Sequence, residues 1–150
     1  MKIALGCDHN GVELKKVLII LLKELGYAYD DFGCYDNNSV DYPDIAQNVA
    51  KVVSEGSYQQ GLLICGTGIG MSIAANKVSG IRAALCQDVL SAQRAREHND
   101  ANILCIGATV ITEEEARNIL GAYLAASFKG GRHERRVNKI EFNKPKTERQ

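Results

Sequence analysis

No part of the sequence is apolar for long. The longest unbroken run, residues 17–22, is six residues, against the ~20 that a membrane-crossing helix needs, so no membrane partner is expected. Net charge is missing too: 18 Lys plus Arg balance 18 Asp plus Glu, which argues against a general binder of nucleic acid or of anionic membrane surfaces. Paired cysteines are lacking. Cys7, Cys34, Cys65, Cys86 and Cys105 are an odd set without a Cys-x-x-Cys pair, which suits neither a disulfide framework nor a zinc site. All five are expected as reduced thiols. The opening Met-Lys-Ile-Ala-Leu-Gly has no apolar stretch followed by a small-residue cleavage site, so a cytoplasmic location is expected. Internal repeats and low-complexity linkers are absent as well.

What is present suits one compact domain: 150 residues, 45% hydrophobic and 24% charged, enough to bury roughly 68–70% of the unfolded surface. That domain is placed at residues 1–142, with 143–150 as a polar tail whose end frays. Charge is uneven along it. Residues 129–149 hold eight basic and three acidic side chains, a local excess that points to an anionic partner.

Short apolar runs alternate with helical patterns. Strands are predicted at 2–7, 27–32, 60–65, 81–86 and 103–106, and helices at 12–25, 41–54, 71–77, 88–97, 113–127 and 132–142. Asn10 with Glu13 suggests a variant capping box for the first helix, and Thr112 with Glu115 a regular one for the fifth. Continuously apolar strands alternating with helices imply an α/β fold: a three-layer α/β/α sandwich, Rossmann-like, with a five-stranded parallel sheet and a C-terminal helix.

In such a sheet ligands sit beyond the carboxyl ends of the strands. The most informative segment there is Cys65-Gly66-Thr67-Gly68-Ile69-Gly70-Met71-Ser72. Its glycines let backbone amides converge, and it runs into a helix N-terminus, which favours an anion. No Gly-Lys-Ser/Thr follows, so it is not a Walker A loop, and Met71 stands where a phosphocysteine phosphatase would need arginine. Cys65 at the strand end is expected to expose its sulfur beside that positive turn, which favours a thiolate able to act as base or nucleophile. His98 follows a helix whose C-terminus favours a protonated imidazole and so a general acid; the same place equally suits a capping histidine without chemistry. His9, beside Asp8, is placed to donate to a phosphate or a sugar hydroxyl, or to hold its own loop. Arg132 and Arg136 share a helix face at i, i+4 and can clamp one phosphate, unless the run is only a solvated basic helix. His133 reads as structural. The three histidines are too scattered for a metal site.

Five segments together resemble the type B ribose-5-phosphate isomerases, within the ribose and galactose phosphate isomerases. They are Gly6-Cys7-Asp8-His9 with Gly11, Asp41-Tyr42-Pro43-Asp44, the Cys65–Ser72 loop, His98-Asn99-Asp100-Ala101-Asn102, and Gly130-Gly131-Arg132-His133 through Arg135-Arg136-Val137. The resemblance implies a cofactor-independent aldose–ketose isomerase that passes through an enediolate. In it His98 with Thr67 would assist ring opening, and Cys65 would carry the carbon-bound proton. The amides of Gly66, Gly68, Ile69, Gly70 and Ser72 would stabilise the enediolate oxygen. Asp8 and Tyr42 would meet sugar hydroxyls, and His9, Arg132 and Arg136 the phosphate. The resemblance also implies a homodimer, with dimers able to pair, in which the His98-Asn99 segment comes from the partner subunit, and no metal. One departure stands out: many members carry Gly-x-Arg-Val where this chain has Gly107-Ala108-Thr109-Val110, so the phosphate charge is shared differently. Cys65 and the Asp8-His9 pair favour the pentose over the galactose 6-phosphate enzymes, and allose 6-phosphate is the six-carbon alternative. From other classes, a non-catalytic sugar-phosphate-binding module needs the glycine loop and Arg132 but neither Cys65 nor His98, and a Cys–His acyl-transfer enzyme would use Cys65 as nucleophile.

Overall fold

The computed structural model describes residues 1–141. Of the sequence expectations, Phe142 and the tail 143–150 lie outside the described residues. Five strands, β1 (Lys2–Cys7), β2 (Ala28–Asp31), β3 (Gln60–Cys65), β4 (Ala83–Leu85) and β5 (Ile103–Gly107), pair in parallel in the order β2-β1-β3-β5-β4. The helices are α1 (Val12–Glu24), α2 (Tyr42–Ser54), α3 (Ile69–Asn76), α4 (Val89–Glu97), α5 (Glu113–Ala125) and α6 (Arg132–Ile140). This is the three-layer α/β/α sandwich expected.

The central strands β1, β3 and β5 are buried almost throughout, while the edge strands β2 and β4 are not. Side chains alternate between the sheet's two faces. On one face Ile3, Leu5, Leu62, Ile64, Leu104 and Ile106 pack with Leu18 and Leu22 of α1 and Ile119 and Leu120 of α5. On the other, Ala4, Leu63, Cys65, Ile103 and Cys105 meet Val49 and Val53 of α2 and Met71 and Ala75 of α3. A sheet covered on both sides has no polar face to give its strands, which is why their sequences read as unbroken apolar runs.

The differences from the sequence reading lie at element ends. Both edge strands are shorter than expected, and α3 begins two residues earlier, at Ile69, because Gly68 takes a left-handed φ of +78° and caps it. The capping box of α5 is present, with Thr112 and Glu115 exchanging side-chain bonds. That of α1 is not: the N-cap is Gly11, with no side-chain bond. Among the described residues no helix is long and apolar enough to cross a membrane.

Candidate active site

The chain winds from β1 toward β2 on one side and from β3 toward β5 and β4 on the other, so strand order switches between β1 and β3. Neighbouring strands part there at their carboxyl ends and leave a crevice. From β1, the buried Asp8 gives its N–H to Ile64 O (3.1 Å) and accepts the Asn10 N–H at Oδ1 (2.9 Å). Asp8, not Asn10, therefore ties this turn. Gly11 opens α1 because a Cβ there would lie 2.8 Å from Cys7 Cβ and 2.9 Å from Ile64 O. Asn10 instead sits beside Gly66, whose Cβ position is 3.6 Å from Asn10 Nδ2. Sequence reasoning missed Asn10 as a site neighbour, although its place directly after Asp8-His9 was the available signal.

His9 accepts the Val40 N–H at Nδ1 (3.3 Å), so a neutral ring carries its proton on Nε2, the nitrogen left to donate elsewhere. From α2, the Tyr42 ring lies over the first turn of α3: a Cβ on Gly70 would come 2.5 Å from it. Asp8, His9, Tyr42 and the glycine loop are thus gathered at one end of the sheet.

In the loop itself the Gly68 N–H donates to Cys65 Sγ at 3.1 Å, Thr67 Oγ1 accepts from the Ile69 N–H at 3.3 Å, and the Ser72 N–H closes on Gly68 O at 3.1 Å. Among the described residues, the N–H groups of Gly66 and Thr67 meet no acceptor. Converging donors at a helix N-terminus suit an oxyanion. The expectation of an exposed sulfur is corrected here: Cys65 is 5% accessible, tucked beneath the loop and packed on the α2–α3 side of the core. It is inward because odd positions of β3 face that layer and the turn folds back over the strand end. The other four cysteines are buried too. Burial pushes the Cys7 thiol up to about 12 and the Cys86 thiol up to about 11, and raises that of Cys105 as well.

The remaining expected residues lie elsewhere. α4 runs back across the sheet and ends in His98, and the following turn meets the amino ends of the strands: Gly61 N–H donates to Asn102 O (2.8 Å) and Asn102 N–H to Arg82 O (3.0 Å). β3 itself, from Gly61 to Cys65, separates this turn from the sulfur by about 13 Å along the strand. Within one chain His98 and Cys65 are therefore on opposite edges. The His98 ring stacks on His133 with centroids 4.1 Å apart and planes 8° from parallel, while Arg94 Nη1 stands 3.3 Å from Nε2. A guanidinium only donates, so this contact is a hydrogen bond with Nε2 as acceptor. Burial, then the neighbouring His98, Arg132, Arg136 and Lys129, hold the His133 imidazole below its usual pKa. His133 therefore brings α6, with Arg132 and Arg136, to the His98 side, a grouping its sequence neighbours did not reveal.

Asp100 fixes the turn between. It has a left-handed φ of +47°, and its carboxylate takes Arg96 at 2.8 Å and Arg82 at 3.4 Å. Asn99 borders a 250 Å³ cavity with Arg82, Ala83 and Ile140. No group of three or more His, Cys, Asp or Glu among the described residues is arranged to hold a metal ion.

The chain as a whole is similar to known proteins. A ribose-5-P isomerase B of Listeria innocua is 50% identical over 141 residues, 94% of this chain and 95% of that protein. A D-erythrulose-4-phosphate isomerase of Pectobacterium atrosepticum is 45% identical over 147 residues, 95% of this chain and 94% of that one. The solved ribose-5-phosphate isomerase B of Clostridium thermocellum superposes with a TM-score of 0.92 at 51% identity, covering 94% of this chain and 95% of that one. The family model described as Ribose/Galactose Isomerase matches residues 3–140, and this chain belongs to that family.

Proposed function

We propose that this chain interconverts ribose 5-phosphate and ribulose 5-phosphate without a cofactor. Family membership supports isomerisation of sugar phosphates in general terms. The narrower reading rests above all on one observation, the Cys65 sulfur held by the Gly68 N–H beneath two unused amides at the strand-order switch. A sulfur in that position accepts a hydrogen bond better as thiolate than as thiol, and the amides lie where an enediolate oxygen needs donors.

In this mechanism His98 of a second copy, with Thr67, moves the proton that opens the furanose to the free aldehyde. The Cys65 thiolate removes the proton from C2, the electron pair becomes the C1–C2 double bond, and the former carbonyl oxygen carries the negative charge into the Gly66–Thr67 amides. The O2 proton moves to O1, and Cys65 returns its proton to C1, leaving the ketose and the thiolate. Asp8 and Tyr42 orient sugar hydroxyls; His9 Nε2–H with the second copy's Arg132 and Arg136 holds the phosphate. Since the chain keeps His98 and Cys65 on opposite edges, the working unit is a dimer. Exposed apolar residues suit this: Ile69 and Ile73 of α3, Val89 and Leu90 at the start of α4, and Ile140 of α6 all face solvent in the single chain.

The burial of Cys65 favours a second reading, a sugar-phosphate-binding module that turns nothing over. One panel separates the two. Wild type and Cys65→Ala are incubated with four-, five- and six-carbon aldose phosphates, with and without chelator, alongside calorimetric binding of the same sugars. The isomerase reading expects chelator-independent turnover fastest with ribose 5-phosphate and a loss of at least a thousandfold in Cys65→Ala with binding retained. Saturable binding without turnover in wild type, or unchanged turnover in Cys65→Ala, rejects it.

A further inference from the structure

The exit of β5 runs directly over the glycine loop. Ala108 N–H donates to Cys65 O at 2.9 Å, and Gly66 O receives two donors from one residue, Thr109 N–H at 2.9 Å and Thr109 Oγ1 at 2.6 Å. The approach is as close as backbones allow: a Cβ on Gly107 would lie 2.5 Å from Thr67 O and 2.8 Å from Thr67 Cα. Cys65 O and Gly66 O are thus both drawn toward the segment 107–109.

A trans peptide is planar, so the C=O of one residue and the N–H of the next point in opposite directions. Fixing Cys65 O fixes the Gly66 N–H, and fixing Gly66 O fixes the Thr67 N–H, each aimed away from the β5 exit. Both amides lack an acceptor among the described residues. A hinge at the Gly66–Thr67 peptide would otherwise be soft, since glycine restrains neither of its dihedrals strongly. Among the described residues, the threonine hydroxyl is the only side-chain group that hydrogen-bonds this peptide.

We propose that Thr109 is a positioning residue for the isomerisation: its hydroxyl, through Gly66 O, holds the Thr67 N–H on the developing enediolate oxygen. It touches neither the sugar nor the reacting atoms. This rests on the isomerase reading above. The amides stabilise charge that exists only after C2 is deprotonated, so losing their alignment lowers kcat and spares KM.

The test compares Thr109→Val, which keeps the shape and the backbone N–H but not the hydroxyl, with Thr109→Ser, which keeps both donors. Each is measured for kcat and KM with ribose 5-phosphate, for binding of a phosphate-bearing hydroxamate that mimics the enediolate, and for melting temperature. Removing one such hydrogen bond is expected to lower kcat roughly three- to tenfold, weaken the hydroxamate by the same factor, and leave KM within about twofold, with Thr109→Ser restoring all three. Thr109→Val with wild-type kcat, a KM-only effect, or equal losses in the Ser variant overturns the proposal while the isomerase reading stands. Wild type that neither turns over ribose 5-phosphate nor binds the hydroxamate overturns both. The melting temperature separates misfolding from misalignment: a fall in kcat matched by a collapse of melting in Val and rescued in Ser by melting alone, with hydroxamate affinity unchanged, also overturns it.

Discussion

Tyr123 is fully buried in α5, and its hydroxyl lies 2.5 Å from Gln60 Oε1 and 2.8 Å from Ala101 O. A hydroxyl has one proton and cannot serve two carbonyl acceptors. The set closes when the Gln60 amide turns its nitrogen toward Tyr123 Oη and Tyr123 donates to Ala101 O. One side chain thereby joins the amino end of β3 to the turn that carries His98 and Asn99. Tyr123→Phe keeps the ring but strands the buried Gln60 amide, while Ala101 O keeps its bond from Arg96 Nη1 at 2.6 Å, and is expected to cost about 1–3 kcal/mol of unfolding free energy in a urea titration. The sequence names this tyrosine only as one more apolar-stripe residue of a helix, since its partners are 63 and 22 residues away. The same holds for Thr109: nothing local says that its hydroxyl meets Gly66. The turn after Cys65, by contrast, was legible because Gly68 and Ser72 are neighbours of it both in sequence and in space, whereas the burial of the sulfur under that turn was not.

At the scale of elements, strands and helices were readable because a two-sided core leaves continuous apolar runs and amphipathic helices in strict alternation. Ends were less so, because tertiary approach and not propensity decides them. The start of α1 is the clear case. Asn10 and Glu13 have the local chemistry of a cap, yet Gly11 takes the position because the chain there passes against Cys7 and Ile64, leaving no room for a Cβ. Gly11→Ala must shift either the helix or the β1 exit, since one of the opposing atoms is backbone. Overpacking of this kind is expected to lower stability by about 1–3 kcal/mol. Because Asp8 and His9 lie between β1 and α1, the substitution is also expected to raise KM for the sugar phosphate. Urea denaturation and steady-state kinetics on the same preparation check both outcomes, and wild-type stability would show that the end of β1 yields freely.

For the molecule as a whole, sequence order conceals which half-site a residue joins. Asp8, His9, Tyr42 and the residues after Cys65 gather at the carboxyl edge of the sheet, while His98, Asn99, Arg132 and Arg136 gather on the far side of β3 with α4 and α6. The direction of α4, antiparallel to the strands it connects, is what carries His98 away, and it follows from topology alone. In the proposed two-fold dimer each crevice would borrow the histidine half from the other subunit, so that two crevices would form with one set of each half. Complementation reads this directly. Cys65→Ala and His98→Asn are each expected to be nearly inactive alone. Mixed in equal amounts under conditions that let subunits exchange, half of the dimers become hybrids, each with one crevice holding both intact groups, and activity is expected to rise to about a quarter of wild type. The rise should follow the time course of subunit exchange and vanish when the subunits are crosslinked before mixing. If the mixture stays as inactive as its parents after exchange is complete, His98 and Cys65 do not meet across subunits.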